Sequence, residues 1–173
     1  MSEHGVIVTD MIRFERVLPG PVERVWEYLT VPELRGRWLA SGPMELHVGG
    51  HVELRFLHAS LSSHFEPTPE RFKQFENGCS LHGKVTRCEP PRLLSYTWGE
   101  DGEVTFELTP RGEDVRLVLT HRRLEPRHLV GVASGWHTHL GILGDRMRGV
   151  EPAGFWSTHA RMEAEYSARL SGG

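Results

Sequence analysis

The 11 histidines among the 173 residues of this sequence are the first candidates for binding a metal ion. His137 and His139 are two apart in a predicted helix, so their side chains point about 200° apart and cannot chelate one ion together. His47 and His51 can be neighbours across a predicted hairpin, but no third ligand for them is identifiable from the sequence. We therefore predict no metal ion and no cofactor.

Nucleophilic or phosphate chemistry has no recognisable motif here. The two cysteines, Cys79 and Cys88, are not a Cys-x-x-Cys pair, and on one predicted strand they would lie about 30 Å apart, beyond disulfide reach. The sequence has no glycine-rich phosphate loop followed by Lys-Ser or Lys-Thr, and no Gly-x-Ser-x-Gly elbow. We predict no catalytic residue, and reduced cysteines favour a cytoplasmic protein.

Two polar residues fall on predicted apolar strand faces. Arg16 lies on the same strand face as Phe14, and Arg13 and Glu15 lie on the opposite face. His121 shares a parity with Leu119. Arg16 is either an anion clamp or polar anchor inside a cavity, or a strand-end arginine that reaches water. His121 is either a catalytic base or polar anchor in the cavity, or a strand-end histidine with satisfied hydrogen bonds.

Composition limits the class of protein. A length of 173 residues favours one domain, which we place at residues 10–170 between a disordered N-terminus at 1–9 and a disordered tail at 171–173. The net charge of -3 argues against nucleic-acid binding. No run of about 18 apolar residues exists, so no membrane span is predicted, and residues 1–9 do not resemble a signal peptide.

Alternation of apolar and polar residues predicts seven strands, and helical spacing predicts two short helices after the first strand. The strands are predicted at 11–18, 44–48, 52–56, 80–88, 93–98, 103–109 and 115–121. One antiparallel sheet must bury its apolar face, and a long helix near the C-terminus is the only cover of sufficient length. A last helix follows from Phe155 to Leu170.

The predicted long helix runs from Glu125 to Met147. Its apolar stripe includes Trp136 and Leu140, which we expect to face the concave side of the sheet. Each glycine inside a helix costs up to about 1 kcal/mol against alanine, so bare backbone at these positions indicates a close approach by the sheet or by a ligand. The glycines are Gly131, Gly135, Gly141 and Gly144.

A hairpin is predicted between Gly42 and Phe56. Parity favours a three-residue loop that pairs Leu46 with Val52. In that register, His47 and His51 are cross-strand neighbours on the solvent face.

The connection from Leu57 to Gly78 is long for a compact domain. Thr68 and the proline after it begin a predicted short helix, which carries Phe72 and Phe75. A helix of about two turns is not stable alone, so these two rings need a docking surface. We predict either a lid over a cavity mouth or a solvated insertion with no role.

Five separate pieces of the sequence, in order, resemble the bacterial homologues of the activator of heat-shock-protein-90 ATPase. That family lies in the START-like, or polyketide cyclase and Bet v 1-like (SRPBCC), superfamily. The similarity covers about Ile12 to Tyr166. The pieces are Val25-Trp26-Glu27-Tyr28-Leu29-Thr30-Val31-Pro32, Arg37-Trp38-Leu39, Val48-Gly49-Gly50, Glu89-Pro90-Pro91-Arg92-Leu93-Leu94-Ser95-Tyr96-Thr97-Trp98 and Gly135-Trp136.

The resemblance implies an α+β helix-grip fold, in which a curved antiparallel sheet of about seven strands wraps around the long helix and leaves a deep cavity. We expect a protein, monomeric or weakly dimeric, that binds a small apolar ligand there. The alternatives are a cyclase- or hydrolase-type enzyme that uses the same cavity, or a chaperone-binding stress-response module. The candidate cavity residues are Arg16, Phe56, Tyr96, Trp98, Phe106, His121, Trp136 and Leu140.

Overall fold

The structure is a computed structural model that describes residues 3–171. Its centre is a seven-stranded antiparallel sheet, with the long helix α3 on one face. In chain order the elements are β1 Val6–Val8, β2 Met11–Pro19, α1 Val22–Thr30, α2 Pro32–Arg35, β3 His51–Phe56, β4 Cys79–Glu89, β5 Leu93–Thr97, β6 Glu103–Arg111, β7 Asp114–Arg122, α3 Leu129–Met147 and α4 Phe155–Ser171. Short 3-10 turns lie at His58–Ser60, Glu70–Phe75 and Pro126–His128.

The strand order across the sheet is β1-β2-β7-β6-β5-β4-β3, and every neighbouring pair is antiparallel. The sheet is curved and does not close. This arrangement around α3 confirms the predicted α+β helix-grip fold. None of the helices within residues 3–171 is both long and apolar enough to cross a membrane.

The sheet has seven strands, as predicted, but one predicted strand is absent and another forms near the N-terminus. Val6–Val8 forms strand β1 against β2, whereas disorder was predicted for residues 1–9. At 44–48 no strand forms, because only an isolated bridge from Met44 joins this segment to β3. At the C-terminus, Ser171 ends α4 rather than starting a disordered tail. Residues 1–2 and 172–173 of the predicted termini lie outside the described residues.

The predicted hairpin register is wrong by two residues. Met44 bridges to Val52, and the amide of Glu45 donates to the carbonyl of His51 over 2.9 Å. The loop is therefore longer than the predicted three residues. His47 and His51 are both solvent-exposed, as predicted, but the ring beside His51 is that of His82 on β4.

The long helix buries the predicted stripe. Trp136 is 3% exposed and Leu140 is 1% exposed, which confirms that this side of α3 faces inward. At three of the helix glycines the sheet does not approach closely, whereas a close approach by a ligand stays a prediction. A Cβ atom at Gly131, Gly135 or Gly141 would meet no atom of another group within 4 Å.

The excursion 57–78 docks on α4. The ring of Phe72 stacks on Trp156 with centroids 5.0 Å apart, and meets His159 edge-on at 5.6 Å. Arg71 also forms an ion pair with Glu163. Phe75 is half-buried and makes no aromatic contact within residues 3–171.

Phe72→Ala is expected to speed amide exchange across 70–76 by roughly tenfold. The six-residue 3-10 turn is too short to persist alone, and losing a stacked aromatic pair with its buried area removes on the order of 1–2 kcal/mol. Hydrogen exchange read by mass spectrometry measures the effect, with Phe75→Ala as the matched control. Equal acceleration in both variants would contradict docking through the Phe72–Trp156 stack.

Candidate functional site

Six of the eight predicted cavity residues form a packed aromatic cluster rather than the walls of an open space. Trp136 packs against Trp98 with centroids 4.9 Å apart and against Phe106 at 5.9 Å. Tyr96 lies 6.0 Å from Phe106 and is buried. Phe56 and Trp98 are half-buried at one end of the cluster, 5.9 Å apart. Aromatic side chains therefore fill much of the space between sheet and helix.

His121, the sixth member, is a satisfied core histidine. Its Nδ1 accepts the indole N–H of Trp136 over 3.0 Å, so the ring carries its proton on Nε2, which donates to the carbonyl of Asp101 over 2.7 Å. Burial lowers the pKa of His121 from its ordinary value. A neutral imidazole with both nitrogens engaged is not available as a polar anchor or a base.

An open cavity of about 560 Å³ lies beside this cluster, between β2, α3 and α4. Two of the predicted cavity residues, Arg16 and Leu140, line it. No residue of the excursion 57–78 lines the cavity, so Phe72 and Phe75 are not part of the cavity lining. The lining is Glu3, Glu15, Arg16, Val17, Leu18, Arg111, Arg116, His137, Thr138, Leu140, Gly141, Ile142, Gly144, Asp145, Arg148, Ala153, Thr158 and Arg161.

The cavity follows an unpaired edge of β2. Strand β1 ends its pairing at Arg13, so the β2 backbone beyond it has no strand partner on that side. Arginines bond the carbonyls there: Arg148 donates to Val17 over 2.7 Å, and Arg16 donates to Glu15 over 2.8 Å. Because strand pairing stops, the region between this edge and α3 stays open.

Arg16 is the polar group on the inner face of β2, with buried Phe14 and Leu18 on either side. Its guanidinium lies 5.4 Å from the centre of the Phe14 ring. Within residues 3–171, no carboxylate oxygen lies within 4 Å of it, so Arg16 has no ion-pair partner there. Burial lowers the pKa of Arg16, although arginine stays charged in proteins.

The cavity lining carries more positive than negative side chains. Five arginines line it against three carboxylates. Glu15 forms an ion pair with Arg116, and the bond to that arginine is the main reason why the pKa of Glu15 is lowered. Arg161 pairs with Glu165 outside the lining. Two carboxylates then remain against Arg16 and two further arginines, which still favours an anion in the cavity.

His137 is the one imidazole that lines the cavity among the described residues. Its Nδ1 lies 2.9 Å from the hydroxyl of Tyr166. Burial, and secondarily the charge of Arg16, lower the pKa of His137 to about 4. A general base works best with a pKa near the working pH, so His137 is a weak base at neutral pH and serves as a neutral hydrogen-bonding group.

The sequence did not single out the arginines that α3 and α4 contribute to this cavity. Arg148 and Arg161 occur in polar surroundings that are typical of exposed helix positions. No local pattern marks them, because their approach to β2 depends on how the two helices cross the sheet edge.

The family assignment follows from the sequence match to residues 19–147, which covers most of the sheet, α1, α2 and α3. These residues match the model of the family described as Activator of Hsp90 ATPase homolog 1-like protein. The chain belongs to this family. The finding confirms the predicted resemblance and places the chain among START-like (SRPBCC) proteins. Among curated proteins, no significant match exists.

Solved structures agree with this assignment. A protein of Bordetella parapertussis, determined by solution NMR, is 43% identical, with a TM-score of 0.82 over 98% of this chain and 91% of that one. CalU16 from Micromonospora echinospora is 25% identical, with a TM-score of 0.68 over 91% and 86%. DynU16, a putative protein in the dynemicin biosynthetic locus, is 21% identical with a TM-score of 0.62 over 84% and 49%, and supports the fold alone.

Proposed function

We propose that this protein binds a small, largely apolar molecule that carries one acidic group, in the cavity between β2, α3 and α4. The observation that carries the proposal is Arg16, a half-buried guanidinium that lines a cavity and forms no ion pair within residues 3–171. The bond to the Glu15 carbonyl uses one of the N–H donors of Arg16, and an anion compensates the charge of a partly desolvated cation. A carboxylate or sulfonate of the ligand supplies that compensation.

The remaining lining supports an apolar body for the ligand. The exposed side chains of Val17 and Ala153 contribute aliphatic surface, and exposed Gly141 leaves the α3 backbone uncovered beside the cavity. A volume of about 560 Å³ lies within the range of about 300–1,000 Å³ that is typical of small-molecule pockets. The expected ligand is therefore amphipathic, with its acidic end at Arg16.

Two fluorescent probes that differ in one group test the proposal: anilinonaphthalene sulfonate, which is anionic, and neutral phenylnaphthylamine. Wild type is expected to bind the sulfonate at least about tenfold more tightly, because a charge-assisted hydrogen bond contributes about 1.5–3 kcal/mol. Arg16→Met is expected to abolish that difference and to leave the affinity for the neutral probe within about threefold. Fluorescence titration measures both affinities.

Arg87→Met is the matched control, since this exposed arginine lies on β4 and outside the cavity lining. Circular dichroism confirms that each variant is folded, because the sulfonate probe also binds loosened proteins. Equal affinity of wild type for the two probes, or an unchanged preference in Arg16→Met, would overturn the proposal.

The enzymatic alternative requires an acid or base directed at the ligand. His137 is the nearest candidate, but its pKa of about 4 makes it a poor proton acceptor at neutral pH. The chaperone-binding alternative requires an exposed apolar or charged patch rather than a pocket. The large exposed apolar side chains come instead from separate segments, among them Val8 in β1, Val48 in the hairpin loop and Phe65 in the excursion. Ligand binding is therefore the function that the geometry supports best.

A further inference from the structure

Two histidines and a glutamate meet on the outer face of the sheet, away from the cavity. His51 and Glu53 are two residues apart on the edge strand β3, so they share a face, while Val52 between them is buried on the other. The β3–β4 register sets His82 directly opposite Glu53. The sequence analysis found no third ligand for His51, because His47 was its predicted neighbour. The observed β3–β4 pairing brings His82 beside Glu53, which shares a face with His51.

The distances within this trio fit a metal ion. The Nε2 atom of His51 lies 3.4 Å from the Nδ1 atom of His82. One donor atom from each of the three residues lies within 4.8 Å of the others. In a tetrahedral zinc site, with Zn–N distances of about 2.0–2.1 Å, two nitrogen ligands are about 3.3–3.4 Å apart. A separation of 3.4 Å is longer than an ordinary hydrogen bond of about 2.7–3.2 Å.

The surroundings hold the trio in place. The amide N–H of His51 donates to Glu45 Oε1 over 2.7 Å, which fixes the backbone at the start of β3. The guanidinium of Arg55 bonds one carboxylate oxygen of Glu53, Oε2, and leaves Oε1 for another partner.

We propose that His51, Glu53 and His82 form a surface site for a divalent transition-metal ion, with zinc the best fit. Two imidazoles and one carboxylate are a ligand set that zinc accepts, and three protein ligands leave the fourth position to water or another small ligand. Arg55 and Lys84, which pairs with His51 across the ladder, bring positive charge and weaken the site. The site is independent of the cavity, whose lining contains no residue of β3 or β4.

Calorimetric titration of the tag-free, chelator-treated protein with zinc chloride at pH 7.5 tests the proposal. Wild type is expected to bind one zinc ion saturably. His82→Ala is expected to lose at least about tenfold in affinity, since even the loss of an outer-shell partner costs about 10–100-fold. His47→Ala, which removes another exposed histidine four residues from His51, is expected to bind like wild type.

A second variant tests the role of the glutamate without removing a ligand. Arg55→Gln withdraws the competing cation from Glu53 and is expected to strengthen zinc binding several-fold. Substitution by cobalt(II) reports the geometry, because a four-coordinate ion absorbs visible light far more strongly than a six-coordinate one. Unchanged zinc affinity in His82→Ala, or the absence of saturable binding below about 100 μM (roughly -5.5 kcal/mol) in wild type, would overturn the proposal.

Discussion

Replacing Trp136 by alanine is expected to lower the free energy of unfolding by about 3–5 kcal/mol. The indole is 3% exposed and packs against Trp98 and Phe106, so its removal leaves a cavity that surrounding rings cannot close. The variant also deprives the buried Nδ1 atom of His121 of its hydrogen-bond donor. Equilibrium denaturation in guanidinium chloride measures the change.

Trp136→Phe is the control for packing, because it keeps an aromatic ring and removes the indole N–H. Its expected cost is smaller, about 1–3 kcal/mol, from one lost buried hydrogen bond and a smaller cavity. A loss of under about 1 kcal/mol in Trp136→Ala would mean that the indole borders open space. In that case the aromatic cluster would be part of a ligand cavity rather than packed core.

Acidification from pH 6.5 to 5 is expected to destabilise the protein, because histidines are buried in their neutral form. Burial lowers the pKa of His139 from 6.5 to about 3, and its Nδ1–H donates to the carbonyl of Trp38 over 2.8 Å. Burial, and secondarily the charge of the nearby His159, lower the pKa of His58 to about 4. The pKa of His159 is itself lowered, chiefly by burial.

The sign follows from the proton count. In the unfolded chain these histidines regain a pKa near 6.5, so between pH 6.5 and 5 the unfolded state binds more protons than the folded state. The free energy of unfolding is therefore highest above pH 6.5. It decreases as the pH is lowered below 6.5, by at most about 1.4 kcal/mol per pH unit for each histidine. For His58 and His139 together, a loss of about 2–4 kcal/mol is expected by pH 5. Denaturant unfolding at a series of pH values measures it.

His58→Phe isolates one contribution. The His58 ring lies 4.5 Å from Phe155 and 5.0 Å from Trp156, and its buried Nδ1 makes no hydrogen bond within residues 3–171. Phenylalanine keeps the ring contacts and removes both the unpaired nitrogen and the titration. The dependence of stability on pH should become shallower, whereas His47→Gln, at an exposed position, should leave it unchanged. An unaltered slope in His58→Phe would contradict the assignment.

The sequence by itself determined the framework of this protein. The helical spacing of Val132, Trp136, Leu140, Leu143 and Met147 placed one face of α3 in the core. All of these except half-buried Val132 are buried. Alternation in the strands likewise predicted the sheet, and separate motifs predicted the family. These features are local: a period of 3.6 or 2 residues reports which side of an element is buried, whatever it packs against.

Tertiary structure decided which inward-facing residues fill the core and which line a cavity. Phe106 and Arg16 both lie on inner strand faces, yet Phe106 packs into the aromatic cluster while Arg16 borders the open space. The outcome depends on where β1 ends its pairing with β2 and on how α3 and α4 cross that edge. The periodicity of a single segment predicts neither the end of the β1–β2 pairing nor the crossing of the helices.

The pairing register between distant strands was the other feature that could not be predicted from the sequence. His51 and His82 are 31 residues apart, and their contact exists because the β3–β4 ladder sets His82 opposite Glu53. A shift of one residue in that ladder would put His82 on the opposite face from Glu53. Register is set by the summed packing of both strands, so only the folded sheet brings these three metal-binding side chains together.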